Sequence, residues 1–163
     1  GVHAWLTYQL AGEEAEQRAL AVARTVAAAD AGRAEVARLD AAAPGSDEAR
    51  PAVGPDGAAK LLVTSRALRL RRDRPELFTG YSPLQASGPR AEHVFAFDRG
   101  GAVTVVTRLP LGLAARGGFT EETLALPAGS WEDVLTARPH TGTVAVADLL
   151  SDYPVALLRR KDS

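Results

Sequence analysis

The sequence predicts an α+β protein, with N-terminal helices followed by an antiparallel β-sandwich as the C-terminal domain. Three observations carry that expectation. An Ala-rich stretch dotted with charge opens the chain, a stretch dense in Pro and Gly follows, and from Tyr81 onward short β-rich runs alternate with Gly, Pro and Asp. With 163 residues, 46% of them hydrophobic and 24% charged, the chain suits one domain plus a helical attachment.

Residues 1–42 read as an Ala-rich helical segment. Ala15, Ala19, Val22, Val26 and Ala29 recur at helical spacing, and Glu13, Glu14 and Glu16 precede Arg18 and Arg24, as the helix dipole favours. Gly32 is placed to break this helix, leaving a short second one over 33–42. Ala4-Trp5-Leu6-Thr7-Tyr8 lies ahead of it, short, apolar and without an assignment. A stripe made mostly of Ala buries little area per residue. The plainer reading is a helix laid against a neighbouring domain, and the sharper one is a partner-binding helix.

Residues 43–57 hold three prolines and three glycines and read as a linker. A helix is expected over 58–74. Asp56 stands where a cap is needed, Arg69, Arg71 and Arg72 suit the C-terminal end, and Pro75 stops the helix. Ala59, Val63, Ala67 and Leu70 form one apolar stripe, while Leu61 and Leu68 lie on a different side. A helix apolar on two sides sits between layers.

Residues 75–163 read as the β-domain. Strands are expected over 83–87, 92–98, 102–108, 122–126, 131–136, 143–147 and 155–159, with Arg99-Gly100-Gly101 as a hairpin turn. Phe95 and Phe97 share one face, with Val94 and Ala96 on the other. Val103 and Val105 oppose Val106 in the same way, so these two strands are expected to be buried on both sides.

Composition excludes several classes of function. There is no Cys, hence no disulfide, thiolate metal site or cysteine nucleophile. His3, His93 and His140 have no ligand-like spacing, so neither a metal nor a cofactor is expected. The formal charge of −1 argues against whole-domain attraction to nucleic acid or anionic membrane. No apolar run approaches a membrane span, and no secretory signal opens the chain, so a cytoplasmic location is expected. Ile, Asn and Met are absent, and all but Lys60 and Lys161 of the 19 basic residues are Arg. Such usage is expected of a high-GC bacterium. The first residue is Gly rather than Met, from which a fragment is expected.

Acid/base catalysis needs two carboxylates gathered in a pocket. Glu121 with Glu122, Glu132 with Asp133, and Asp148 with Asp152 are the candidates. Glu132 and Asp133 alternate within a strand and point to opposite faces. Solvated strand ends and turns account for all six, and Asp148 is expected in a short turn. No Gly-x-Ser-x-Gly elbow and no phosphate-cradling Gly motif occurs, so no catalytic residue is assigned. Arg66, Arg69, Arg71, Arg72 and Arg74 could suggest nucleic-acid recognition. Asp73 and Glu76 offset them, however, and the stems can cover apolar surface while the heads pair with carboxylates. Trp131, Phe119, Tyr81 and Tyr153 could stack on sugar rings, although Trp131 and Tyr153 more simply fill the core. Lys60 could reach a substrate, and a surface Lys near a helix start is the plainer reading. No substrate-binding residue is therefore assigned.

The run Leu68-Arg69-Leu70-Arg71-Arg72-Asp73-Arg74-Pro75-Glu76-Leu77-Phe78, followed by Gly80-Tyr81, resembles the end of the barrel in α-amylase-family enzymes (glycoside hydrolase family 13). Val94-Phe95-Ala96-Phe97-Asp98-Arg99 looks like a strand of that family's C-terminal β-domain, and 103–107 like its partner. Within the family the resemblance is to the maltooligosyl trehalose synthases. Asp56-Gly57-Ala58-Ala59-Lys60-Leu61 is similar to their lead-in to the last barrel helix. Gly129-Ser130-Trp131-Glu132-Asp133-Val134-Leu135-Thr136 and Tyr153-Pro154-Val155-Ala156-Leu157-Leu158 are similar to their closing strands. The likeness covers about residues 33–160, while 1–32 match nothing in it.

The resemblance implies that 58–74 is the last barrel-type helix and that the chain is the C-terminal portion of such an enzyme. The family moves a glucosyl unit within its substrate, turning the reducing-end α-1,4 link of a maltooligosaccharide into an α,α-1,1 link in trehalose biosynthesis. Its catalytic carboxylates sit on barrel strands upstream of everything in this chain. The implied partner is therefore that upstream catalytic barrel, and maltooligosaccharides are the implied ligand. A helix detached from such a barrel is expected to leave apolar surface exposed. The rival readings are a stand-alone carbohydrate-binding module using Trp131 or Tyr81, and a partner-interaction protein using the Ala-rich helix.

Overall fold

The computed structural model describes residues 2–42, 46 and 50–162, and of residues 2–16 and 19 the backbone alone. The chain divides into two compact units, Gly1–Ala41 and Ala42–Ser163. The first is one helix, α1, over Val2–Ala41. It runs through Gly32 where a break was expected, and it includes the unassigned 4–8 segment. A single Gly costs about 1 kcal/mol in a helix, too little to stop one with Ala31 and Ala34 close on either side and braced by Arg33–Asp30 and Arg38–Glu35 ion pairs at i,i+3. The early start also moves Glu13, Glu14 and Glu16 out of the first turn, which holds no acidic residue.

Of the linker, 43–45 and 47–49 lie outside the described residues. Its end is pinned: Arg50 pairs with Asp152 at 3.0 Å, and the Tyr153 hydroxyl donates to the Pro51 carbonyl at 2.9 Å. Helix α2 spans Ala58–Asp73, as the sequence led us to expect. The Asp56 carboxylate accepts the Ala58 N–H at 3.2 Å, and Pro75 opens a short 3₁₀ turn that redirects the chain. Ala59, Leu62 and Leu70 are its buried residues.

The β-domain comprises β1 (Ser82–Leu84), β2 (Ala86–Ser87), β3 (Val94–Asp98), β4 (Ala102–Thr107), β5 (Thr123–Asp133), β6 (Pro139–Ala145) and β7 (Val155–Arg160). All pairings are antiparallel in one sheet of order β1-β3-β4-β7-β5-β2, with β6 also on β5. β1 and β2 are separated only by Gln85 yet pair at opposite ends of that order. The sheet must therefore curl until its ends meet, and its two halves face each other as a sandwich.

β5 makes the corner. Its first residues pair with β2 and its last with β7, and its register against β6 shifts between Ala125 and Ser130. Two separate strands were expected over this stretch. They are one strand bent at Pro127-Ala128-Gly129, where Gly129 takes a φ of 126° and the Pro127 carbonyl accepts the Trp131 indole N–H at 2.9 Å. The hairpin at Arg99-Gly100-Gly101 forms as expected. Asp98 accepts both glycine N–H groups, at 2.9 and 2.8 Å, and both glycines have positive φ.

Two short helices were not expected. α3 covers Pro110–Ala115, with Pro at its first turn, and α4 covers Val146–Leu149, where a strand was read to residue 147. The Val146 N–H reaches the Glu122 carbonyl at 2.9 Å, which ends the β6 pairing and turns the chain. Between the two halves lies the core, built from Ala96, Val103, Val105, Leu124, Leu126, Trp131, Val146, Leu149, Ala156 and Leu158.

Candidate functional site

Alternation on β3 and β4 sorts side chains between this core and an outer face. Ala96, Val103 and Val105 point inward and are buried. Outward, Phe97 pairs across to Thr104 and Thr104 to Leu157, while Phe95 pairs to Val106 and Val106 to Val155. These two strands were expected to be buried on both sides; β4 shows no exposed residue, with Ala102 sealed and Thr104 and Val106 half-buried, and Leu157 beside it is buried, whereas on β3 the outward Phe95 is open. Phe95 is 45% exposed and Tyr81 59%, and the Tyr81, Phe97 and Phe95 rings stand 5.5 and 5.7 Å apart in sequence across this face.

Helix α2 continues the apolar surface. Leu68 is 62% exposed on the side away from the buried Ala59, Leu62 and Leu70. Leu68, Ala67 and Arg71 of the helix line a groove of about 330 Å³ with Phe78, Phe97, Arg99, Thr104 and Leu157. The second apolar side of α2 thus exists as the sequence indicated, with Leu68 open on it while Ala59, Leu62 and Leu70 on the first are buried.

The carboxylate candidates divide by burial, against the expectation that all are solvated. Glu121 and Asp148 are exposed, the latter on α4 rather than in a turn. Glu122 is only 1% exposed and accepts the backbone N–H groups of Arg90 at 3.0 Å and Thr120 at 2.7 Å. Burial works to raise its pKa, but the N–H donors at Thr120, Glu122 and Arg90 and the Arg90 charge outweigh it and hold the carboxyl below its ordinary value. The approach is so close that a Cβ on Gly88, which sits at a φ of 124°, would meet the Glu122 Cα at 2.9 Å.

Asp133 is 2% exposed and accepts the Leu135 N–H at 3.0 Å and the Thr136 hydroxyl at 2.8 Å. Here burial prevails over those bonds and pushes the pKa up. Glu132 points the other way, as alternation requires, and pairs with Arg159 at 2.7 Å across β5 and β7. Asp152 is held by Arg50 and Arg138. The buried carboxylates therefore cap turns and the half-buried ones pair with arginines, an arrangement that orders loops rather than moving protons. Local sequence could have flagged Asp133, which stands two and three residues before its donors, in the manner of an Asx turn.

The arginines behave likewise. Arg72 pairs with Asp73, and Arg74 with Glu76 and Asp162. Arg66 and Arg69 line a cleft with Asp73, Glu132 and Asp133. Trp131 is fully buried beneath the Arg160 guanidinium, 5.1 Å from its ring centroid, and Tyr153 is buried too, so neither offers a face to a sugar. Phe119 is half-buried against the core and Lys60 is exposed. Buried His93 has Nδ1 3.2 Å from the Arg108 carbonyl, and among the described residues no three His, Cys, Asp or Glu side chains gather as metal ligands. No helix among them is long and apolar enough to cross a membrane.

No family model matches the chain. Two curated relatives, each named "Putative maltooligosyl trehalose synthase" and belonging to Mycobacterium tuberculosis strains CDC 1551 / Oshkosh and ATCC 25618 / H37Rv, are 44% identical over 107 residues. That match takes in 64% of this chain and only 14% of theirs. The solved structure of maltooligosyltrehalose synthase from Arthrobacter ramosus superposes with a TM-score of 0.75 at 51% identity, over 81% of this chain and 17% of that one. The resemblance read from the sequence is borne out over that part of the chain.

Proposed function

We propose that this chain is the C-terminal portion of a maltooligosyl trehalose synthase, the final barrel helix with the β-domain behind it. The observation that carries this reading is the 51% identity and shared fold with the Arthrobacter enzyme over 81% of the chain. In that enzyme class the reducing-end α-1,4 link of a maltooligosaccharide becomes an α,α-1,1 link. On this reading residues 58–74 are the last barrel-type helix, 75–163 the β-domain and 43–57 the connection from a helical segment at 1–42.

The role is structural. Catalytic carboxylates come from the barrel, and this portion braces it without supplying a catalytic, metal-binding or cofactor-binding residue. The geometry supports that division of labour, since Glu122 and Asp133 are held as turn caps and Glu132 and Asp152 as ion pairs. Arginines paired with carboxylates favour a protein neighbour over nucleic acid, and the reading places the enzyme in the cytoplasm.

The test is to place this chain in the Arthrobacter enzyme in exchange for its matching segment. The exchanged enzyme should convert maltopentaose to a non-reducing product, and the chain alone should leave maltopentaose unchanged. A non-reducing product from the chain alone, or an exchanged enzyme without activity, would overturn the reading.

A further inference from the structure

We infer that the outer face formed by Leu68, Tyr81, Phe95 and Phe97 is the surface on which the remainder of the synthase docks, an inference that rests on the reading above. Four observations lead there. The face is apolar and open: Leu68, Tyr81 and Phe95 are all more exposed than a core side chain, and they belong to separate elements. It is continuous, because Leu68 of α2 and Phe97 of β3 line the same groove, rimmed by Arg71 and Arg99. An apolar centre with a polar rim is the ordinary anatomy of an interface between folded parts.

The third observation sets a sugar platform aside. Tyr81 and Phe97 are tilted by 31° and Phe97 and Phe95 by 56°, so the rings lean on one another instead of presenting a flat row. Rings arranged like this interdigitate with other side chains. The fourth is length. The match spans 14% of the curated relatives and 17% of the Arthrobacter enzyme, so most of such a polypeptide lies outside this chain. Covalent attachment keeps that remainder at high effective concentration beside the face, ahead of any separate molecule. It also supplies a layer for the second apolar side of α2, opposite the buried Ala59, Leu62 and Leu70.

The test compares Phe95→Glu and Leu68→Glu in two settings, the chain alone and the exchanged enzyme, with Thr143→Glu on exposed β6 as the charge control. In the exchanged enzyme, each face variant should lower the melting temperature by about 5 °C or more and Thr143→Glu should not. In the chain alone all three should melt with the parent. Face variants that melt with the parent in an active exchanged enzyme overturn the docking surface and leave the functional reading standing. Equal losses in both settings overturn it by showing that the face packs within this chain, helix α1 included. Saturable maltoheptaose binding by the chain, abolished by Phe95→Glu, overturns it in favour of a sugar site. A concentration-dependent dimer abolished by Phe95→Glu overturns it in favour of a second copy. An inactive exchanged enzyme removes the functional reading and this inference together.

Discussion

On the inner side of β3, β4 and β7 the residues Ala96, Val103, Val105, Ala156 and Leu158 are sealed from solvent, while on the outer side Phe95 is nearly half open. Both sides of β3 are apolar. The larger side chains, the two phenylalanines, are on the outside. Area-proportional burial would place the largest apolar groups deepest if this chain alone decided the matter. The contrast therefore teaches that the inner face is filled by this domain itself, while the outer one keeps apolar area at Phe95 that the docking proposed above would cover.

The largest expected effect is on the inner side. Trp131→Ala removes a fully buried indole, the hydrogen bond from its Nε1 to Pro127, and the ring beneath Arg160. It should cost about 3–5 kcal/mol in chemical denaturation of the chain. A loss below about 1 kcal/mol would mean that the corner of β5 is not part of the core, and the inner/outer contrast would collapse. Next comes Glu122→Gln, which keeps one acceptor and gives up the second, for about 1–3 kcal/mol.

Glu122 also has a pH signature. Its folded pKa is lowered, so the unfolded chain binds the proton more tightly. Its stabilisation is fully present above the unfolded value of about 4.3 and is lost as pH falls through the folded one. Denaturation at descending pH should show a steep acid loss in the parent and a shallower one in Glu122→Gln. Equal slopes would remove Glu122 as the group responsible.

Much of this arrangement was legible in the sequence, for local reasons. The limits of α2 follow from Asp56, its C-terminal arginines and Pro75, and the β3–β4 hairpin from Gly100-Gly101, since each is a backbone requirement met within a few residues. The two-sided helix was legible from Leu68. Illegible were the long α1 and the burial of Glu122. Gly32 reads as a breaker only if Ala31 and Ala34 close by are ignored, and Glu122 reads as a solvated strand end until Arg90, far along the chain, brings its N–H to it. The openness of Phe95 was equally hidden, because alternation gives two apolar faces and does not say which of them a neighbour covers.

Asp133→Asn should show the opposite pH behaviour at smaller amplitude. Its folded pKa is raised, chiefly by burial, so the folded chain binds the proton more tightly than the unfolded one. The contribution is full below the unfolded value of about 3.9 and is lost as pH rises through the folded value. Asparagine still accepts the Leu135 N–H and carries no charge into the core. The variant should stay within about 1 kcal/mol of the parent at neutral pH and abolish that loss. An Asp133→Asn curve parallel to the parent above pH 4 would show that burial does not govern this carboxyl.

The smallest effect falls on the outer face. Leu68→Ser in the chain alone exchanges an exposed apolar group for a polar one on an exposed helical position, and should move stability by no more than about 0.5 kcal/mol. Set beside Trp131→Ala, this measures the contrast directly, since both are apolar residues of the same unit and differ in what covers them. A cost near that of a core truncation would place Leu68 inside this chain's own packing and make the two faces equivalent. A negligible cost, with a gain in solubility as the apolar patch shrinks, would show that α2, buried at Ala59, Leu62 and Leu70, keeps its other side free to take a second layer.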